Sequence, residues 1–101
     1  METAAFSIGQ IVQHKMFEYR GVIYDVDAKF DGTEEWYEQV ARSRPPKNKP
    51  WYRVLVDGQN AQTYVAERHL EADLNTGPVD HPLVKSLFKS FEDGAYVMPY
   101  S

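Results

Sequence analysis

The sequence predicts a mainly β protein: a small, strongly bent antiparallel barrel with a short inserted helix and a C-terminal helix. Three observations carry this expectation. Segments such as Gly21–Ala28, GVIYDVDA, place side chains alternately on two faces, as a half-buried strand does. The pair Asp57-Gly58 closes the run WYRVLV, and Asp-Gly is a favoured hairpin dipeptide. Four or five such short strands, interrupted by one helical segment, suit a small barrel.

The first strand is read from Ile8 to Lys15, with Ile11 and Val12 among polar neighbours, and Phe17 to Arg20 makes a turn. In the second strand Val22, Tyr24 and Val26 share one face, and Ile23, Asp25 and Asp27 share the other. Asp31 or Thr33 caps a short helix. Asp31 with Glu34 has capping-box spacing, and Glu34 and Glu35 suit the positive end of the helix dipole. Trp36, Tyr37, Val40 and Ala41 form its apolar stripe, and Pro45-Pro46 forbid continuation. Trp51–Asp57 is the strongest strand, Asp57–Asn60 a turn, and Thr63–Ala66 the returning strand. Arg68–Leu70 reads as a tight helical turn or a short last strand. A loop with Asn75, Gly77 and Pro78 leads to the C-terminal helix. There Pro82 suits the first helical position, Leu83, Val84, Leu87, Phe88 and Phe91 make an apolar face, and Gly94 is the C-terminal cap.

A chain of 101 residues suits one domain, 1–101, with the barrel core over about 6–72 and the helix over about 81–92. With 43% hydrophobic and 14% aromatic residues, it has the material for a core, which argues against wholesale disorder. The absence of cysteine removes disulfides, thiolate nucleophiles and Cys-ligated metals from consideration. METAAFSIGQ has no basic segment leading into an apolar one, and no stretch approaches the ~18 apolar residues of a membrane helix. A soluble, cytoplasmic protein is expected.

Charge is unevenly distributed. The chain has a net charge of -4, yet Arg42–Arg53 carries Arg42, Arg44, Lys47, Lys49 and Arg53 and no acid. Segregated charge steers a partner. In one reading these groups meet phosphates or an acidic protein patch. In the other they are solvated or dock on the chain's own acids, Asp25, Asp27, Asp31, Glu34, Glu35 and Glu38, within a subunit or across an oligomer interface. Overall acidity repels a duplex, and there is no evident reading helix. Trp51 and Tyr52 alternate across their strand. One is expected to anchor the core and the other to stand partly exposed beside the basic stretch, where it serves as a contact hot spot; burial of both through an oligomer contact is the alternative. The candidate partner-binding residues are therefore Arg42, Arg44, Lys47, Lys49, Trp51, Tyr52 and Arg53.

Nothing points to catalysis. Asp25 and Asp27 share a strand face about 7 Å apart, but no further oxygen ligands or phosphate-binding glycines accompany them. His14, His69 and His81 lack metal-ligand spacing. Ser7, Ser43, Ser86 and Ser90 stand in no nucleophile elbow. No catalytic residue, metal or cofactor is expected, and the protein is read as a binder and not an enzyme.

Three ordered blocks also carry a resemblance: FSIGQIVQHKMFEYRGVIYDVD, PWYRVLVDG and TYVAERHL. They resemble the HspQ heat-shock family, also described as the hemimethylated-DNA-binding, YccV-like family. The tail, HPLVKSLFKSFEDGAY, looks like that family's alphaproteobacterial branch. The resemblance implies an SH3-like barrel that self-associates as a dimer or trimer. It also implies two activities: modulation of a Lon-type ATP-dependent protease as a specificity or adaptor factor, and preferential binding of hemimethylated double-stranded DNA.

Overall fold

The computed structural model describes residues 3–75 and 77–99. Five antiparallel strands form its main sheet: β1 (Ile11–His14), β2 (Arg20–Asp27), β3 (Trp51–Val56), β4 (Gln62–Ala66) and β5 (Leu70–Ala72). Their order is β4-β3-β2-β1-β5, so β4 and β5 are the edges. Helix α1 (Glu34–Val40) lies between β2 and β3. Beyond β5 come the short helix α2 (Val84–Leu87) and a hairpin of β6 (Ser90–Glu92) and β7 (Ala95–Val97).

The alternation of strand residues explains where the core sits. Val12, Ile23, Tyr52, Val54, Val65 and Leu70 come from all five strands and pack together on one face of the sheet. Their immediate neighbours Ile11, Val22 and Leu55 point the opposite way, where they pack with Val79, Phe88 and Tyr96 of the C-terminal segment. The far end of that second face is covered by α1, with Trp51 and Ala66 against Tyr37 and Ala41. The bent sheet thus packs its first face on itself, while α1 and the C-terminal segment cover its second.

Two local features depart from the sequence reading of the strands. The β2–β3 register shifts between Ile23 and Asp25, so Tyr24 is an inserted residue. The bulge puts Val26 with Ile23 in the first core instead of with Val22 and Tyr24. Asp25 and Asp27 do share a face, beside Arg53. In α1 the cap is Thr33, whose Oγ1 accepts from the Trp36 N–H at 3.1 Å. The Asp31 box does not form, because the Asp31 N–H donates to the Tyr64 hydroxyl. Glu67–His69 is a 3-10 turn leading directly into β5, which combines both readings of that segment.

The expected helix over 81–92 is corrected. Only Val84–Leu87 is α-helical, and Phe91 lies in β6. Asp93 and Gly94, at φ 54° and 78°, make a hairpin turn where a helix cap was expected. The apolar set Leu83, Val84, Leu87, Phe88 and Phe91 still packs on Val22 and Leu55, so this segment is part of the core. Gly9 fastens the hairpin. Its N–H donates to Ile23 O at 2.7 Å, and its carbonyl accepts from Tyr96 at 2.8 Å. At φ +92° a side chain there would collide with the Tyr96 carbonyl, so only glycine fits without strain.

Arg20 fastens the loop before α2. Its guanidinium bonds Asp73 and Asp57, each at 2.9 Å, and the carbonyls of Asn75, Gly77 and Pro78. The planar fork satisfies five acceptors from two segments, a task a lysine ammonium cannot copy.

Candidate functional site

The basic stretch is folded onto the chain's own carboxylates. Arg44 pairs with Glu38 at 2.7 Å and Lys47 with Glu34 at 2.6 Å, both on α1. Lys47 draws the Glu34 carboxyl below its ordinary range by hydrogen bonding. Arg53 lies 3.7 Å from Asp25 and 3.6 Å from Asp27, with its guanidinium over the Tyr64 ring. The proline loop itself is held from below. Tyr37 donates its hydroxyl proton to Pro45 O at 2.6 Å, Trp51 Nε1 donates to Pro46 O at 3.1 Å, and Phe30 N donates to Lys47 O at 2.8 Å. Of the two readings of the charge segregation, the intramolecular one describes Arg44, Lys47 and Arg53. Arg42 makes no ion pair among the described residues and stands exposed.

Trp51 and Tyr52 are both withdrawn from solvent, at 2% and 0% exposure, which corrects the expectation that one of them faces outward. The reason is the two-sided cover of β3. Trp51 lies under α1 and Phe30, while Tyr52 lies in the barrel interior with Phe6. The Tyr52 hydroxyl donates to Glu67 and accepts from the Phe6 N–H. Burial, with that carboxylate nearby, pushes its pKa up to about 12. These two aromatics serve the fold, and the burial arises within one chain.

Of the exposed large apolar side chains, Met16, Phe17 and Val40 line a groove of about 590 Å³ beside β4, while Ile8, Leu74 and Met98 lie away from it. All five residues of β4 line it. Consecutive strand residues point to opposite faces, so a groove touching all five runs along the strand's edge. One wall comes from α1 and the residues just beyond its C-terminus: Trp36, Val40, Arg42 and Ser43. The other is the β1–β2 turn with Met16, Phe17 and Tyr19. Phe17 is 72% exposed, Met16 59% and Val40 57%, so each wall of the groove presents an exposed apolar side chain. Among the described residues lining the groove are two arginines, Arg42 and Arg53, and two histidines, but no carboxylate. Sequence reasoning misses the Met16-Phe17 wall because its two apolar residues form no periodic pattern and sit in a turn. It assigns the Val40 side of α1 to the core because the apolar stripe is wider than the face α1 buries.

The two histidines form the floor beneath Phe17. His14, 6% exposed, stacks on Phe17, Tyr19 and His69. Its Nδ1 accepts the N–H groups of both Met16 and Phe17 at 3.1 Å, shaping the turn that presents Phe17. His69 Nε2 meets Ser43 Oγ at 2.9 Å. Burial, then the neighbouring His69, lowers the His14 pKa below its ordinary 6.5; burial, then Arg68 and Lys15, lowers that of His69. The folded state therefore binds these protons less readily than the unfolded chain. This stabilisation is complete above pH about 6.5 and is lost as pH falls from there toward the lowered folded values. Urea unfolding midpoints are expected to drop between pH 7 and pH 5, and less so in a His14→Asn variant; identical slopes in the two proteins would exclude His14 as the cause.

Asp25 and Asp27 engage Arg53, and Asp27 also accepts the Tyr64 hydroxyl proton at 2.6 Å. No group of three or more histidine or acidic side chains placed to hold a metal occurs among the described residues. No helix among them is long and apolar enough to cross a membrane. A family model described as hemimethylated DNA-binding protein YccV like matches residues 4–95.

Proposed function

The chain belongs to the YccV-like family, and from that premise we propose that it is a non-enzymatic accessory protein that docks on a Lon-type ATP-dependent protease through the β4 groove and alters the handling of substrates. The observation that carries this reading is the exposure of Phe17, Met16 and Val40 around a groove lined by two arginines and no described carboxylate. Exposed aromatic and aliphatic anchors with arginine nearby are what protein-binding hot spots are made of. The choice of protease comes from the HspQ resemblance. An accessory factor of this kind acts by raising the effective concentration of a substrate at the protease or by shifting the protease toward a more active state. The test is the degradation rate of a model substrate by the cognate protease with and without the protein; an unchanged rate at saturating protein would overturn the reading for that substrate class.

The family's description favours a second reading, binding of hemimethylated DNA. A hemimethylated site adds one apolar methyl in the major groove, and Phe17 and Met16 are exposed apolar side chains of suitable chemistry. Phosphate contacts by Arg44, Lys47 and Arg53 would have to displace carboxylates that already hold them. Binding measured across a salt series is therefore expected to show a log–log slope well short of the roughly -4 to -5 that five phosphate contacts would give. A slope in that range, abolished by neutralising Arg42, Arg44, Lys47 and Lys49, would favour DNA as the partner of the basic stretch.

A further inference from the structure

The hydrogen-bonding pattern of β4 specifies what the groove can hold. Val56 N donates to Ala61 O at one end of the β3–β4 pair, and Glu67 N donates to Pro50 O at the other. Antiparallel partners alternate between hydrogen-bonded and non-bonded pairs. With the register Val54↔Thr63 and Tyr52↔Val65, the residues bonded to β3 are 61, 63, 65 and 67. The N–H and C=O groups of Gln62, Tyr64 and Ala66 therefore point away from β3. No strand pairs with that side among the described residues. Those of Gln62 and Tyr64 open along the groove, between the Val40–Arg42 wall and the Phe17 wall, while Ala66, 3% exposed, closes its far end beneath α1.

We propose that β4 takes up an extended, acidic and apolar peptide segment as an added antiparallel or parallel strand. This rests on the reading of the groove as a protein-binding surface and specifies its partner as an unfolded segment. Backbone pairing gives affinity without demanding a sequence, and alternate side chains find the apolar walls. Charge selects the rest. Arg42 is exposed and without an ion pair among the described residues, and no described carboxylate lines the groove, so aspartate and glutamate are admitted while lysine is disfavoured. An exposed edge is a hazard for aggregation, and Arg42 beside the groove sets a like-charge penalty against a second copy pairing there.

The probe is a blocked octapeptide alternating valine with threonine and aspartate, titrated into the ¹⁵N-labelled full chain. The largest amide shifts are expected at Gln62 and Tyr64, with Phe17 beside them. Methylating alternate backbone nitrogens of the peptide removes two or more hydrogen bonds and is expected to weaken binding by about tenfold or more. Replacing its aspartates by lysine, or making Arg42→Glu in the protein, is expected to weaken it in the same direction. Equal binding of the methylated peptide, shifts centred elsewhere, or no shifts at millimolar peptide would overturn the proposal. So would concentration-dependent shifts at the same amides without peptide, which would assign the edge to a second copy. If the peptide fails while protease modulation persists and is sensitive to Phe17→Asp, strand addition falls and the accessory reading stands. If modulation is also absent, both fall.

Discussion

A Trp51→Ala variant is expected to lose about 3–5 kcal/mol of folding stability, the usual cost of deleting a buried tryptophan. The indole is 2% exposed and sits among Phe30, Tyr64, Trp36 and Tyr37, with ring centroids 4.9 to 6.3 Å away. It also donates to Pro46 O, so its removal frees the proline loop as well as opening a cavity. A domain this small has about 5–15 kcal/mol to lose, so the variant approaches global unfolding. Phe17→Asp is the control, because Phe17 is the larger part of an exposed patch and its loss is expected to cost within ~0.5 kcal/mol. Urea unfolding followed by circular dichroism separates the two. A Trp51→Ala protein as stable as the parent would mean that Trp51 is a surface contact after all.

Replacing Arg20 by alanine is expected to be nearly as damaging, for electrostatic reasons. The substitution leaves Asp57 and Asp73 without their cation and strips three carbonyls of a donor. Breaking a mostly buried pair by removing one partner costs on the order of 3 kcal/mol, since the remaining charge stays desolvated. For a domain of this size that corresponds to a fall in Tm of roughly 12–24 °C. Arg20→Lys keeps the charge but not the fork, and is expected to recover less than half of the loss. The loop around 73–78 is the part released first, so amide exchange at Asp73, Asn75 and Gly77 is expected to accelerate more than at Val22 or Leu55. Full recovery of Tm by lysine would show that charge alone, without the five-acceptor geometry, holds the loop.

How far the sequence disclosed this molecule depends on the range of the interactions involved. The main strands were legible because alternation and the Asp57-Gly58 turn are local signals, and α1 because Thr33, the acidic first turn and Pro45-Pro46 mark its ends. The same Asp-Gly signal stands at Asp93-Gly94. There the helical spacing of Leu83 to Phe91 outweighed it, although a four-residue helix followed by a strand produces that spacing equally well. The bulge at Tyr24 has no local mark, because it is a property of two strands in register. The site was legible only in part. The basic stretch was found by charge, and its pairing with Glu34, Glu38, Asp25 and Asp27 was one of the two readings that charge allowed. Burial of both Trp51 and Tyr52 was an alternative reading, but through an oligomer contact; strand alternation implies one exposed face and cannot show that a helix of the same chain covers it. The groove was illegible for a related reason: its walls come from a turn, a helix end and an edge strand far apart in the chain.

The working surface is placed at the β4 groove with Arg42 on its wall, and not at Arg44 and Lys47 of the basic stretch. The most direct test compares two variants in the protease degradation assay at saturating protein. One carries Phe17→Asp with Arg42→Glu; the other carries Arg44→Gln with Lys47→Gln. The first is expected to abolish the change in rate, and the second to leave it intact, because Arg44 and Lys47 are engaged by Glu38 and Glu34. The reverse pattern, with modulation lost on neutralising Arg44 and Lys47 and retained in the groove variant, would move the working surface to the basic stretch.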